Sequence, residues 1–249
     1  MTQTKSLTLT TAEKSRFLGR CYGWMALALL LSAVVAYFTA ANMFVQTPEG
    51  KLKLSALGSL LFSGHGMGFM VLCILEIVVV IFLTAKIRTM SVFAASLSYV
   101  VYSVLNGLTL SSIFAVYEIS SIANAFLATA VTFGVMCFYG SRTKSDLTKL
   151  GRYCIMGLWG IILASLLHFI LMFFAKAPLS MLDLLISIAT VLVFTGLTAF
   201  DSQKIVKTAE NAKNTDDFKK VAIMGALELY LDFINILLAL LKIFGKRKD

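Results

Sequence analysis

Long apolar runs alternate with short polar ones along almost the whole chain. The apolar blocks predict membrane spans at about 21–41, 67–84, 92–114, 122–138, 153–174, 181–206 and 221–245. Each is near or above the ~18 residues that mark a helix able to cross roughly 30 Å of hydrocarbon. Only two prolines occur, Pro48 and Pro178, and both fall in connections between blocks. The pattern predicts an all-α membrane protein, a seven-transmembrane-helix bundle built as a single integral membrane domain over residues 1–249. The first block is longer than a signal-peptide core and lacks a small-residue cleavage site, so it is expected to remain as the first span. Residues 44–66 form a longer connection marked by glycine and proline. Residues 140–152 and 208–220 form polar connections.

Composition sharpens this picture. The chain is 59% hydrophobic and 14% charged, against roughly 45–50% and 25% for soluble domains. A soluble fold would lack the polar surface to cover that much apolar material. The four cysteines, Cys21, Cys73, Cys137 and Cys154, sit in or beside apolar blocks with no CxxC or His/Cys cluster. A disulfide framework and a zinc site are therefore not expected. His65 and His168 stand singly, without ligand partners at suitable spacing. No internal repeat points to an inverted-repeat transporter.

The net charge of +9 brings in orientation. Lysine and arginine collect at the ends of the apolar blocks, and no basic stripe interleaved with aromatics offers a nucleic-acid surface. Fifteen basic residues fall in the amino tail and the 2–3, 4–5 and 6–7 connections. Three (Lys51, Lys53, Lys176) fall on the other side ahead of the carboxyl tail. The positive-inside rule places the amino terminus, with residues 1–20 as its tail, in the cytoplasm. Seven spans then put the basic tail (Lys242, Lys246, Arg247 and Lys248) outside, against that rule. A re-entrant last segment would keep it inside. The last block, however, has no proline, and no glycine between Gly225 and Gly245 to reverse it. A full span is preferred.

Ionisable groups inside membrane helices are costly and usually face a bundle interior or a wet cavity. In the last block Glu228, Asp232 and Asn235 recur at spacings of four and three, so they share one helical stripe that Lys242 extends. In the sixth, Asp183 and Asp201 are separated by five full turns and share a face with Ser187 and Thr190. Glu76 lies midway along the second span and Asn106 within the third. Buried, hydrogen-bonded packing is the plainer use for Asn106 and Asp183. A functional role fits Asp201 and Asp232 better.

Four runs, NGLTLSSIF (106–114), FYGSRTKSDLTKLG (138–151), FTGLTAFDSQKI (194–205) and ALELYLDFINILLALLKIFG (226–245), resemble the transmembrane Bax inhibitor-1 motif family, in a bacterial-type member. The resemblance covers most of the chain from the third span onward; the amino-terminal quarter matches only in hydropathy. It implies a last helix surrounded by the other six and a pH-sensitive calcium leak. It further implies that Asp201 and Asp232 form a pH-sensing pair, latched by a base from the end of the second helix. Here the chain departs from the family. The corresponding position, counted without gaps from Glu76, is Ile87, so the candidate latch is Arg88 or Lys86.

The leak also has a physical basis in the residues themselves. Two carboxylates in a poorly solvated site cannot both ionise cheaply, and they titrate as one unit. Calcium prefers hard oxygen ligands. Asp201, Asp232 and Glu228 are the candidates for transient calcium, with Glu228, Asn235, Glu76 and Asn106 lining the pore or cavity. No cofactor and no tightly bound metal are expected. An intramembrane aspartyl protease is disfavoured: Asp201 follows Ala-Phe, Asp232 follows Tyr-Leu, and neither a GxGD nor a PAL motif occurs. A retinal receptor would need a lysine midway along the last helix, whereas Lys242 lies in its final turn. No enzymatic activity is expected. The alternative to conduction is a non-conducting interaction protein that modulates a membrane protease or a cell-death or stress factor. The expected location is the bacterial inner membrane, with lipid, calcium and protons as partners and no nucleic acid.

Overall fold

The computed structural model describes residues 11–46, 52–175, 180–210 and 215–248. Lys5, Pro48, Lys51, Lys176, Pro178 and Lys213, and the side chain of His65, lie outside the described residues. The elements in order are α1 (Thr11–Ala41), β1 (Phe44–Gln46), β2 (Leu52–Leu54), α2 (Ala56–Lys86), α3 (Val92–Val116), α4 (Ile119–Arg142), α5 (Thr148–Ala175), α6 (Ser180–Ala209) and α7 (Thr215–Phe244). All seven helices are long and apolar enough to cross a membrane. With no water in hydrocarbon to satisfy a bare backbone, helices are the solution such a composition permits.

The connection at 44–66 differs from its sequence reading. It holds a short antiparallel hairpin pairing Phe44 with Leu54 and Gln46 with Leu52, and helix α2 already begins at Ala56. Ser55 sets that start. Its Oγ accepts from the Gly58 N–H at 3.0 Å and donates to the Asn42 carbonyl at 2.6 Å, a side-chain cap tied to the preceding helix end. Gly58 is needed there, because a Cβ would lie 2.3 Å from the Met43 carbonyl oxygen.

The chain divides into two compact units. One comprises Gly19–Tyr117, Lys213–Ala226 and Arg247–Asp249, with α2, α3, most of α1 and the start of α7. Within it the Ser32 hydroxyl donates to the Ser103 carbonyl at 2.7 Å, and Tyr99 Oη donates to the Ala226 carbonyl at 3.2 Å. Trp24 meets Tyr99 edge-on. The other unit comprises Met1–Leu18, Glu118–Ala212 and Leu227–Lys246, with α4, α5, α6 and the larger part of α7. Its core gathers Cys154, Phe194, Leu197 and Ile236, and Phe126 and Phe133 pack edge-on against Phe233.

Burial separates the helices by role. Of the apolar stretch of α7, 67% is buried, against 6% for those of α2 and α5. Leu227, Leu229 and Tyr230 are fully covered, and at 100° per residue they point in different directions, so α7 is a core helix enclosed on most sides. Exposed Ile74, Ile77 and Ile81 of α2, and Trp159, Leu163 and Leu166 of α5, are the outward faces suited to acyl chains.

Each unit also fixes which helix ends lie together. In the second, Lys14 pairs with Glu210 and Lys207 with Asp146 at one end. At the other end the Glu118 N–H donates to the Lys246 carbonyl and Lys242 pairs with Asp183. In the first, Lys220 Nζ reaches the Arg88 carbonyl at one end, while Lys248 reaches the Val116 and Phe114 carbonyls at the other. Helix α7 contributes Thr215–Ala226 to the first unit and Leu227–Phe244 to the second.

Candidate functional site

Asp201 stands on α6 and Glu228 and Asp232 on α7, all in the unit that contains α4 and α5. Carboxylates on these two helices can lie at one level only if the sixth helix continues through 203–207. Helix α6 does so, running unbroken to Ala209. Lys204 Nζ lies 2.7 Å from Glu228 Oε1 and 3.6 Å from Asp201 Oδ1. The Asp232 carboxyl reaches the Thr198 hydroxyl of α6 and is close enough to Asp201 and Glu228 for their charges to act on it. The result is one ammonium held between the Asp201 and Glu228 carboxylates, with the Asp232 carboxyl beside them.

Asp232 is 3% exposed, and its Oδ2 is buried without a hydrogen-bond partner. A buried oxygen of this kind is expensive unless a proton or cation satisfies it. The hydroxyls of α6 do not supply a donor. Ser187, Thr190, Thr198 and Ser202 each bond the carbonyl four residues back, at 2.7–2.8 Å. A hydroxyl has one proton, so Thr198 donates either to the Phe194 carbonyl or to Asp232 and not to both; while it bonds Phe194 it can only accept from Asp232. The geometry suits a carboxyl that carries the proton itself and donates it to Thr198.

Glu228 and Asn235 lie on the least covered line of α7, where the partly exposed positions 221, 224, 228, 231, 235 and 238 and the exposed position 242 recur at helical spacing. Asp232 is turned off that line into the protein. Asn235 Nδ2 donates to the Leu231 carbonyl of its own helix at 2.8 Å. Lys242 ends the line in its 3.4 Å pair with Asp183.

Glu76 and Asn106 belong to the other unit and meet there. Glu76 accepts from Asn106 Nδ2 at 3.2 Å and from the Thr109 hydroxyl, joining α2 to α3. Lys86 and Arg88 are exposed at the end of α2 in that same unit. Lys204 was not singled out from the sequence. Its signal was spacing: three residues beyond Asp201, it shares that residue's helical face. Among the described residues no three His, Cys, Asp or Glu side chains converge to hold a metal ion.

Seven membrane-length helices with an ionisable cluster between two of them define an integral multi-pass membrane protein of the all-α class. A family model described as "Inhibitor of apoptosis-promoting Bax1" matches residues 14–249, and the chain belongs to that Bax inhibitor-1 family. It is 40% identical over 245 residues to the Inner membrane protein YbhL of Escherichia coli, covering 98% of this chain and 97% of that protein. It is 40% identical over 237 residues to an uncharacterized protein of Borreliella burgdorferi, covering 95% and 94%. A Deinococcus radiodurans protein is 34% identical over 247 residues, covering 99% and 96%.

Proposed function

We propose that the chain is a pH-sensitive cation leak, passing calcium, whose gate is the proton shared between Asp201 and Asp232. The observation that carries this reading is the buried Asp232, whose Oδ2 lacks a donor beside two further carboxylates. With its proton, Asp232 is a neutral donor to Thr198. Without it, a second negative charge stands in a poorly solvated place, and repulsion or an arriving cation favours another arrangement of α6 and α7. Glu228 and Asn235, on the partly exposed line of α7, would lead a cation toward Asp201 and Asp232 from their own unit. Glu76 and Asn106 would line a path in theirs, and Lys86 and Arg88 remain candidate bases for a latch. We place the protein in the bacterial inner membrane, where the name of its Escherichia coli relative places that protein, with the amino terminus in the cytoplasm.

The test is calcium flux into liposomes across roughly pH 6–8 for the parent, Asp201→Asn and Asp232→Asn. The parent should show a pH-dependent flux. Each variant should lose that dependence, because the remaining carboxyl no longer has a charge to avoid. Equal pH dependence in all three would sink the sensor assignment. Absence of flux in the parent would favour the second reading, a non-conducting protein that restrains a membrane-protein partner. The description of the matching family model, which names inhibition of another protein, supports that alternative.

A further inference from the structure

We propose that Lys204 is a tethered cation: its ammonium occupies the carboxylate site of Asp201, Glu228 and Asp232, and a divalent ion binds there only when the amine swings away. The inference rests on the conduction reading for its purpose, but the occupancy itself is a matter of binding. Two carboxylates, Asp201 and Glu228, lie on one ammonium with the Asp232 carboxyl beside them, so the site calls for more positive charge than Lys204 brings. The buried Oδ2 of Asp232, with no donor on it, points to the same deficit independently of the charge count.

Lys204 is suited to leave. Its side chain is 43% exposed while those of Asp201 and Glu228 are 13% and 20% exposed, so the lysine has an open side that the acidic side chains largely lack. A lysine is a point charge on a flexible four-carbon stem, with no fixed fork to hold it. One turn further on, Lys207 pairs with Asp146 in the polar 4–5 connection, which puts the outlet for Lys204 near the aqueous end of α6.

The present arrangement fits an occupied site. Glu228 and Asp201 are drawn to Nζ, and no three acidic groups among the described residues share a common point. Calcium needs six to eight oxygens at about 2.3–2.6 Å, and three carboxylates could supply up to six once the amine is gone. At this level Gly151 of α5 lies against Phe200, and the charged residues flanking it, Lys149 and Arg152, are exposed. Gly140 of α4 lies against Ala199, and the titratable or charged residues flanking it are Cys137, Tyr139 and Arg142. From α5, Cys154 is near enough to feel Asp201 and Asp232.

The experiment measures calcium binding to the purified full-length protein by titration calorimetry, beside flux into liposomes at one fixed pH. Lys204→Gln should bind calcium roughly tenfold more tightly than the parent and pass it faster. Lys204→Arg should keep calcium out as the parent does, and Lys204→Gln combined with Glu228→Gln should lose the gain. A second variant guards against simple loss of structure. In a background with the four native cysteines replaced, Lys204→Cys should gain calcium binding and lose it again when an aminoethylating thiol reagent restores an ammonium. Binding no tighter in Lys204→Gln, or a gain that aminoethylation does not reverse, overturns the proposal. A reversible gain in binding without flux in any variant leaves the tethered cation standing and removes the leak. Flux in the parent that Lys204→Gln leaves unaltered, with unaltered binding, does the opposite.

Discussion

At the scale of single residues, two glycines of α4 separate packing from propensity. A Cβ on Gly140 would stand 2.1 Å from the Ala199 carbonyl oxygen of α6, whereas one on Gly134 would meet nothing within 4 Å. The obstruction at Gly140 is backbone, which cannot rotate aside, so α4 and α6 would have to part. We expect Gly140→Ala to cost about 1–3 kcal/mol through overpacking. Gly134→Ala should be neutral or stabilising by up to ~1 kcal/mol from helix propensity. Thermal melts of the two variants in detergent check the contrast, and similar melting temperatures would contradict the close α4–α6 approach. The same scale shows what a sequence withholds. Asp201, Asp232 and Glu228 could be picked out because a charge in an apolar run is conspicuous. Lys204 could not, since at the rim of the block it reads as one more basic residue marking a helix end. Only the packing of α7 beside α6 turns it from a marker into the ammonium between two carboxylates. Glu76 and Asn106 were legible as polar residues within spans, but not as partners of each other across α2 and α3.

At the scale of elements, apolar blocks locate helices well and end them badly, because polar residues stop a block without stopping a helix. Helix α5 starts at Thr148, ahead of its apolar block. There Asp146 Oδ1 accepts from both the N–H and the hydroxyl of Thr148, an anion placed where the helix dipole favours one. Gln203 of α6 holds the same connection by two backbone bonds, accepting from the Leu147 N–H at 3.0 Å and donating to the Ser145 carbonyl at 2.8 Å. The Lys207 ammonium and Thr148 hold the Asp146 carboxyl down at about 2. A carboxyl depressed in this way contributes above its ordinary value near 3.8, and the contribution is lost as pH falls through about 2. The pair is therefore fully formed across pH 6–8 and takes no part in any response there. Asp146→Asn should leave the pH midpoint of calcium flux where it is in the parent; a displaced midpoint would move the sensor to this connection. Gln203→Ala removes two hydrogen bonds of roughly 0.5–1.5 kcal/mol each. It should speed tryptic cleavage at Lys144 and Lys149 more than Asp146→Asn does, because Asp146 and Lys207 are both largely exposed and exposed pairs contribute little.

At the scale of the whole molecule, the open question from the charge pattern was whether the basic carboxyl tail returns to the amino-terminal side. The end-to-end contacts within each unit argue that it does not. In one, Lys14 and Glu210 share an end with Lys207 and Asp146, while Lys246 bonds Glu118 and Ser121 at the start of α4. In the other, Lys248 bonds the last carbonyls of α3, and Lys220 bonds Arg88 beyond the end of α2. If successive spans alternate direction, the end of α3 is expected across the membrane from the end of α2. A tail seated on the end of α3 is then expected there too. The 30 residues of α7 rise roughly 45 Å, enough to cross the ~30 Å core without reversal. The positive-inside rule then fails only at the tail, where the basic groups are partly spent. Lys248 Nζ sits 2.8 Å from the Phe114 carbonyl, where a cation meets the negative end of the α3 dipole. Gln3→Cys and Arg247→Cys, each in a background without the native cysteines, test this on intact cells with an impermeant thiol reagent. The cysteine at 247 should be labelled at once, and the one at 3 only after the cells are opened. The reverse pattern would invert the orientation. Labelling of neither before opening would return the tail to the cytoplasm and reduce the number of full crossings by one.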